Sequence, residues 1–140
     1  MKPYRIFTLM AIAITFILAV TFSLAGQTAK TIQLMATKES PGASGTAAIG
    51  AKEIRIDAKG LKANSVYTAW FVSMTPKKHE IGAGEAPYMF KTDAKGAGTY
   101  SAPVGESPFG KWEMLMVVLH PNGNPKDMKS MVGALSVELK

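Results

Sequence analysis

The chain has 140 residues, 47% of them hydrophobic, with eight prolines, thirteen glycines and no cysteine. That length suits one domain around one core. The missing thiols exclude a disulfide framework, thiolate metal centres and thiol nucleophiles. Sixteen Lys and Arg against ten Asp and Glu give a net charge of +6, yet the cations are scattered singly apart from Lys77-Lys78, and beyond Arg5 the one arginine is Arg55. A nucleic-acid surface would cluster its cations and favour Arg, so no nucleic-acid partner is expected.

Lys2 and Arg5 precede an almost wholly apolar run, residues 6–24, and Ser23-Leu24-Ala25 places small residues at the two positions a signal peptidase reads. The expectation is an N-terminal signal helix over residues 1–25, cleaved after Ala25, followed by a single domain over 26–140. An uncleaved membrane anchor is the alternative, because no charge falls between Arg5 and Lys30 and the run is long enough to span a bilayer. The small-residue exit and the lack of a following basic cluster favour cleavage. The expected location is periplasmic or secreted, with membrane contact only through an uncleaved segment. Without Lys2 and Arg5, fourteen cations face ten anions, a charge of +4, which makes a soluble surface with weak attraction for anionic envelope components.

Along the mature chain, residues 31–36 (TIQLMA) alternate as a first strand, and Pro41-Gly42 breaks the chain after it. Residues 46–50 and 53–58 form two short strands. In the second, Ile54 and Ile56 alternate with Glu53, Arg55 and Asp57, the pattern of a half-exposed strand. Residues 60–65 (GLKANS) make a turn into 66–74 (VYTAWFVSM), which is apolar or small on both faces: Val66, Thr68, Trp70, Val72 and Met74 on one, Tyr67, Ala69, Phe71 and Ser73 on the other. Such a strand belongs in the middle of a sheet. Residues 75–87 (TPKKHEIGAGEAP) are a long excursion of the kind in which function concentrates. A hairpin follows, 88–92 and 98–104 around the turn Asp93-Ala94-Lys95-Gly96. Residues 111–119 (KWEMLMVVL) are a second apolar strand, with Trp112, Met114, Met116 and Val118 on one face. It ends at the loop His120-Pro121-Asn122-Gly123-Asn124-Pro125, and residues 131–139 close the fold. Short strands, Gly/Pro turns and no sustained helical period predict an all-β, antiparallel, immunoglobulin-like or Greek-key sandwich of about seven or eight strands.

The turn "GL.AN" leading into "VYTAWFV", then "GAG", the hairpin "FKTDAKGAGTY" and the strand "WEMLMVVL" stand in an order that resembles the extracytoplasmic β-sandwich domain of anti-sigma-K-type factors. It is similar, more distantly, to the CHRD-type sandwiches of bacterial envelope proteins. The overlap runs over about residues 54–119. The resemblance implies a fold and an envelope location. It implies no catalytic residues, and sigma binding is not carried over, because five residues precede the apolar segment.

No catalytic set is expected. There is no Gly-Xaa-Ser-Xaa-Gly elbow, nothing pairs Glu80, Glu85, Glu106 and Asp127 as a glycosidase would need, and Gly82-Ala83-Gly84 precedes a strand where a phosphate loop needs a helix. The leading expectation is therefore a non-enzymatic envelope module without a cofactor, its partner an unidentified envelope protein or ligand. Its candidate binding residues lie on loops: His79, Glu80, Glu85, Tyr88, His120, Asn122 and Asn124. The central strand is expected to supply core packing alone. One alternative is a copper site, because in an oxidising compartment without thiols His and Met are the soft ligands; its ligands would be His79, His120, Met74 and Met89. The other alternative is a membrane-anchored sensor domain.

Overall fold

The computed structural model describes residues 29–139, and the expected signal segment lies outside them. Nine strands run through those residues: β1 (Lys30–Ala36), β2 (Ser44–Ile49), β3 (Glu53–Lys59), β4 (Val66–Ser73), β5 (His79–Gly82), β6 (Met89–Lys91), β7 (Gly98–Pro103), β8 (Met114–His120) and β9 (Val132–Glu138). No helix occurs among the described residues. The strand beyond the expected eight is β5, set inside the excursion at 75–87.

Every pairing is antiparallel. β1, β2, β3 and β7 hydrogen-bond in one layer. β9, β8 and β4 form the other, with β5 and β6 sharing the far edge of β4. β1 belongs to both layers: Lys30 to Leu34 pair with β2, whereas Met35 and Ala36 pair with Ser136 and Leu135 of β9. The whole is thus one curled sheet closed into a sandwich. β3 beside β7 in one layer and β4 beside β8 in the other are the interlocked pairs of a Greek-key, immunoglobulin-like arrangement.

The sequence pattern explains the layering. β3 alternates without a fault, its isoleucines and Ala58 inward and its charges outward. On that outer face Arg55 pairs with Asp57 at 3.2 Å, and the Thr99 hydroxyl donates to the same carboxylate at 3.0 Å. Arg55 first, then Thr99, hold the Asp57 carboxyl below its ordinary range. Leu34, Ile49, Ile54, Ile56, Tyr67, Phe71, Leu115, Val117 and Leu135 fill the space between the layers.

The turn into β4 is fastened from inside. Tyr67 is buried and stacks on Phe90 at 5.7 Å, and its hydroxyl accepts the Lys62 backbone N–H at 2.9 Å. Burial pushes that phenol upward. The hairpin turn is held by Asp93, whose Oδ1 accepts the N–H groups of Lys95 and Ala97, with Gly96 at φ 79°. An L side chain there is strained and would also strike the Leu61 carbonyl.

Trp112 departs from the expected face. β8 begins at Met114, three residues later than expected, and Trp112 stacks on Phe71 at 6.5 Å, packing against the interior while Met114 and Met116 share the outer face with Trp70 and Val72. Chain entering a strand through a turn has no obligation to its alternation.

Candidate functional site

β4 is buried at seven of its eight positions, and the exception is Trp70. Trp70 lies on the outer face of its layer with Val66, Thr68 and Val72. The expectation that β4 supplies core alone is corrected here, because the half-exposed indole forms the floor of a groove. Residues 86–88 form one side of it and residues 125–128 the other, and Trp70, Ala86, Pro87, Tyr88, Pro125, Lys126 and Met128 line a space of about 640 Å³. That size is typical of ligand sites.

Each wall has a local cause. The Ala86–Pro87 peptide is cis and Tyr88 has φ 63°, a value bulky residues rarely adopt. The Tyr88 N–H donates to the Glu85 carbonyl at 2.8 Å and its carbonyl accepts the Ala69 N–H at 3.1 Å, which fixes the residue against β4. Its ring tilts 58° to the Trp70 ring with centroids 5.4 Å apart. The seat for that ring is Gly82, directly across from Trp70 on β5, where a Cβ would come within 2.1 Å of the Tyr88 ring. On the other wall, Asn122 Oδ1 accepts from the Asn124 N–H and Asn124 Oδ1 from the Lys126 N–H, both at 3.0 Å. Asp127 accepts from Lys129, Asn122 and Ser130. The Lys129 N–H foremost, with Asn122, keeps its carboxyl below the usual range.

Beneath the groove lies a buried polar chain. The Trp70 indole N–H donates to Thr68 Oγ1 at 2.7 Å, and Thr68 Oγ1 meets His120 Nε2 at 2.7 Å. Thr68 is 0% and His120 2% exposed. An indole N–H can only donate, so Thr68 Oγ1 accepts from it, and the same oxygen joins His120 Nε2 to the chain. The other ring nitrogen of His120, Nδ1, is buried without a hydrogen-bond partner. Trp70 is therefore locked in orientation, and its one polar atom is spent inside the protein.

The residues expected from sequence divide around this site. Glu85 and Tyr88 belong to one wall, and Asn122 and Asn124 shape the loop of the other. His120 lies below the floor as a buried support. His79 and Glu80 lie away on β5: His79 pairs with Ser73 at the opposite end of β4 from Val66, the partner of His120. Seven residues of strand separate the two histidines' partners, about 23 Å. Met74 accompanies His79 and Met89 pairs with Thr68 near His120, so the four expected copper ligands do not form one site. His79 stands over Trp112, with Nδ1 3.0 Å from the Lys77 carbonyl. Among the described residues no group of three or more His, Cys, Asp or Glu side chains is placed to hold a metal ion.

A second hollow, about 500 Å³, opens beside Met74, Lys111, Trp112 and Glu113. The Glu113 carboxylate is already committed: it accepts the Thr75 hydroxyl and the backbone N–H groups of Met74 and Thr75. These bonds, the hydroxyl foremost, hold it below the ordinary glutamate range. It fastens the turn after β4.

Fold and site together define an antiparallel β-sandwich with a rigid aromatic groove on one outer face. In comparisons with known proteins, no family model matches the chain, and neither the curated proteins nor the solved structures contain a match.

Proposed function

We propose that the protein is an exported, non-enzymatic β-sandwich that serves as a recognition module of the bacterial cell envelope, periplasmic or secreted, and that its partner binds in the Trp70–Tyr88 groove. The observation that carries this reading is the locked, half-exposed Trp70. A large ring whose N–H is satisfied from beneath and whose neighbour Tyr88 is held in an unfavourable backbone conformation costs little entropy to bind against. Trp and Tyr are also the residues on which binding energy concentrates. Export is supported by the Lys2/Arg5 head, the apolar run and the Ser23-Leu24-Ala25 exit.

The groove is tested with an apolar anionic dye, anilinonaphthalene sulfonate, added to the protein as recovered from producing cells. Saturable one-site binding, lost when the exposed Met128 is changed to Glu, is expected. Absence of a saturable site, or binding indifferent to Met128→Glu, removes the groove as the functional surface. N-terminal sequencing of the same material is expected to begin at Gly26. A start at Met1 favours the anchored sensor domain instead.

A further inference from the structure

If the groove is the recognition surface, as proposed, its chemistry restricts what it takes. Its walls supply few hydrogen-bonding groups. The Trp70 N–H is committed to Thr68, Pro87 and Pro125 have no N–H, the Tyr88 N–H goes to the Glu85 carbonyl and the Lys126 N–H to Asn124. What remains on the lining side chains is the Tyr88 hydroxyl, the Met128 thioether and the Lys126 ammonium. A sugar, with hydroxyls around its whole edge, would leave most of them unpaired on entering. A flat base would need parallel faces, and these rings stand 58° apart. Two tilted rings flanked by two prolines offer a V-shaped apolar notch for a compact, rigid, non-planar side chain.

Charge supplies the second restriction. Lys126 makes no ion pair among the described residues, where the ion pairs are Arg55–Asp57 and Lys111–Glu106. The acid beside it, Asp127, has both oxygens turned into its own loop. The groove therefore joins an apolar notch to one cation without an ion-pair partner among the described residues.

We infer that the groove binds an extended peptide segment of a partner protein, which places a proline between Trp70 and Tyr88 and an adjacent acidic side chain on Lys126. A proline-containing segment is already extended and loses little freedom on docking, and aromatic-lined grooves bind such segments. Charge complementarity selects the acidic neighbour, with the mature chain's +4 acting in the same sense. A single-chain amphiphile carries an anion too, but this groove is open and short, and would leave most of an acyl chain in water.

The test displaces the bound dye with blocked hexapeptides of alternating Pro and Glu, the same peptides with Gln or Lys for Glu, an Ala/Glu peptide, and decanoate. The Pro/Glu peptide is expected to displace the dye, about threefold to fivefold better than its Gln form, the range of one partly exposed ion pair, with the advantage shrinking in high salt. The Ala/Glu peptide is expected to fail. Lys126→Glu, a change at an exposed loop residue, also removes the cation available to the anionic dye, so on this variant the peptides are titrated directly by calorimetry; the order of the Glu and Lys peptides should invert. Equal displacement by all charge forms, an order unchanged by Lys126→Glu, or displacement by decanoate and by no peptide overturns the inference. In each of these the dye still occupies the groove, so the recognition surface stands. Failure of the dye to bind removes both.

Discussion

Replacing Thr68 by Val keeps the shape of a fully buried side chain and removes the hydroxyl on which Trp70 and His120 meet. Two hydrogen bonds of 2.7 Å are lost, and the consequences differ. Trp70 is a partly exposed residue, so its N–H is placed to recover part of its loss from water. His120 Nε2 is not: the ring is 2% exposed and its other nitrogen already has no partner. A newly unpaired buried group costs about 1–3 kcal/mol, and the bond to the indole adds up to about 1 more. The variant should lose about 2–3 kcal/mol, which in urea moves the midpoint down by about 1–2 M with an unchanged slope. Thr68→Val combined with His120→Leu removes the orphaned ring along with the hydroxyl. In a double-mutant cycle the pair should then couple by about 1–2 kcal/mol, the double variant being more stable than the two single losses added together. A Thr68→Val loss below about 0.5 kcal/mol, or strictly additive losses, would refute the hydrogen-bonded chain from groove to His120.

The geometry sets three further expected outcomes. Gly82→Ala drives a methyl into the Tyr88 ring; the expected result is about 1–3 kcal/mol of lost stability from overpacking and at least tenfold weaker dye binding by titration, whereas unchanged affinity would show that Tyr88 does not form the wall. Tyr67→Phe removes the acceptor for the Lys62 N–H and keeps the stack on Phe90, so urea unfolding should show a loss of about 1 kcal/mol with groove binding intact. Glu113, Asp93 and Asp127 all have folded-state pKa values below their ordinary ones. Their contribution is present above the ordinary carboxylate range and is lost as pH falls through the folded values. The melting temperature should therefore drop as pH falls below about 4, with a shallower drop in Glu113→Gln; a melting temperature that rises below about pH 4 contradicts the assignment.

Much of the fold was legible because alternation is a local property. Glu53 to Lys59 declares its two faces residue by residue, and the two-sided apolar run at β4 announces a central strand without further information. β5 was not legible. His-Glu-Ile-Gly has one β-former in four residues and sits between prolines, and it becomes a strand because β4 offers it an edge. The site was half legible. The loops holding Tyr88, Pro87 and Pro125 stood out by composition. Trp70 did not, because a tryptophan on a strand with two apolar faces reads as core whichever side is covered. What exposes it is the partial cover given by loops about 16 and 55 residues further along the chain, and no local pattern records how completely a distant loop covers a ring. The separation of His79 from His120 is a matter of register, equally invisible before the strands are paired.

The strand that serves both layers has a consequence for assembly. β1 and β9 lie about a hundred residues apart, and between them they make the one seam among the described residues where ladder hydrogen bonds join the layers, reinforced by the Thr37 N–H on the Ala134 carbonyl and the Thr37 hydroxyl on Gly133. Closing a loop of that length costs entropy before any contact repays it. The sandwich is consequently a late-locking structure: strands β2 to β8 can pair as they emerge, but the layers have no hydrogen-bonded hinge until residues 132–138 arrive. The placing of one layer on the other therefore waits for the last strand to dock on β1.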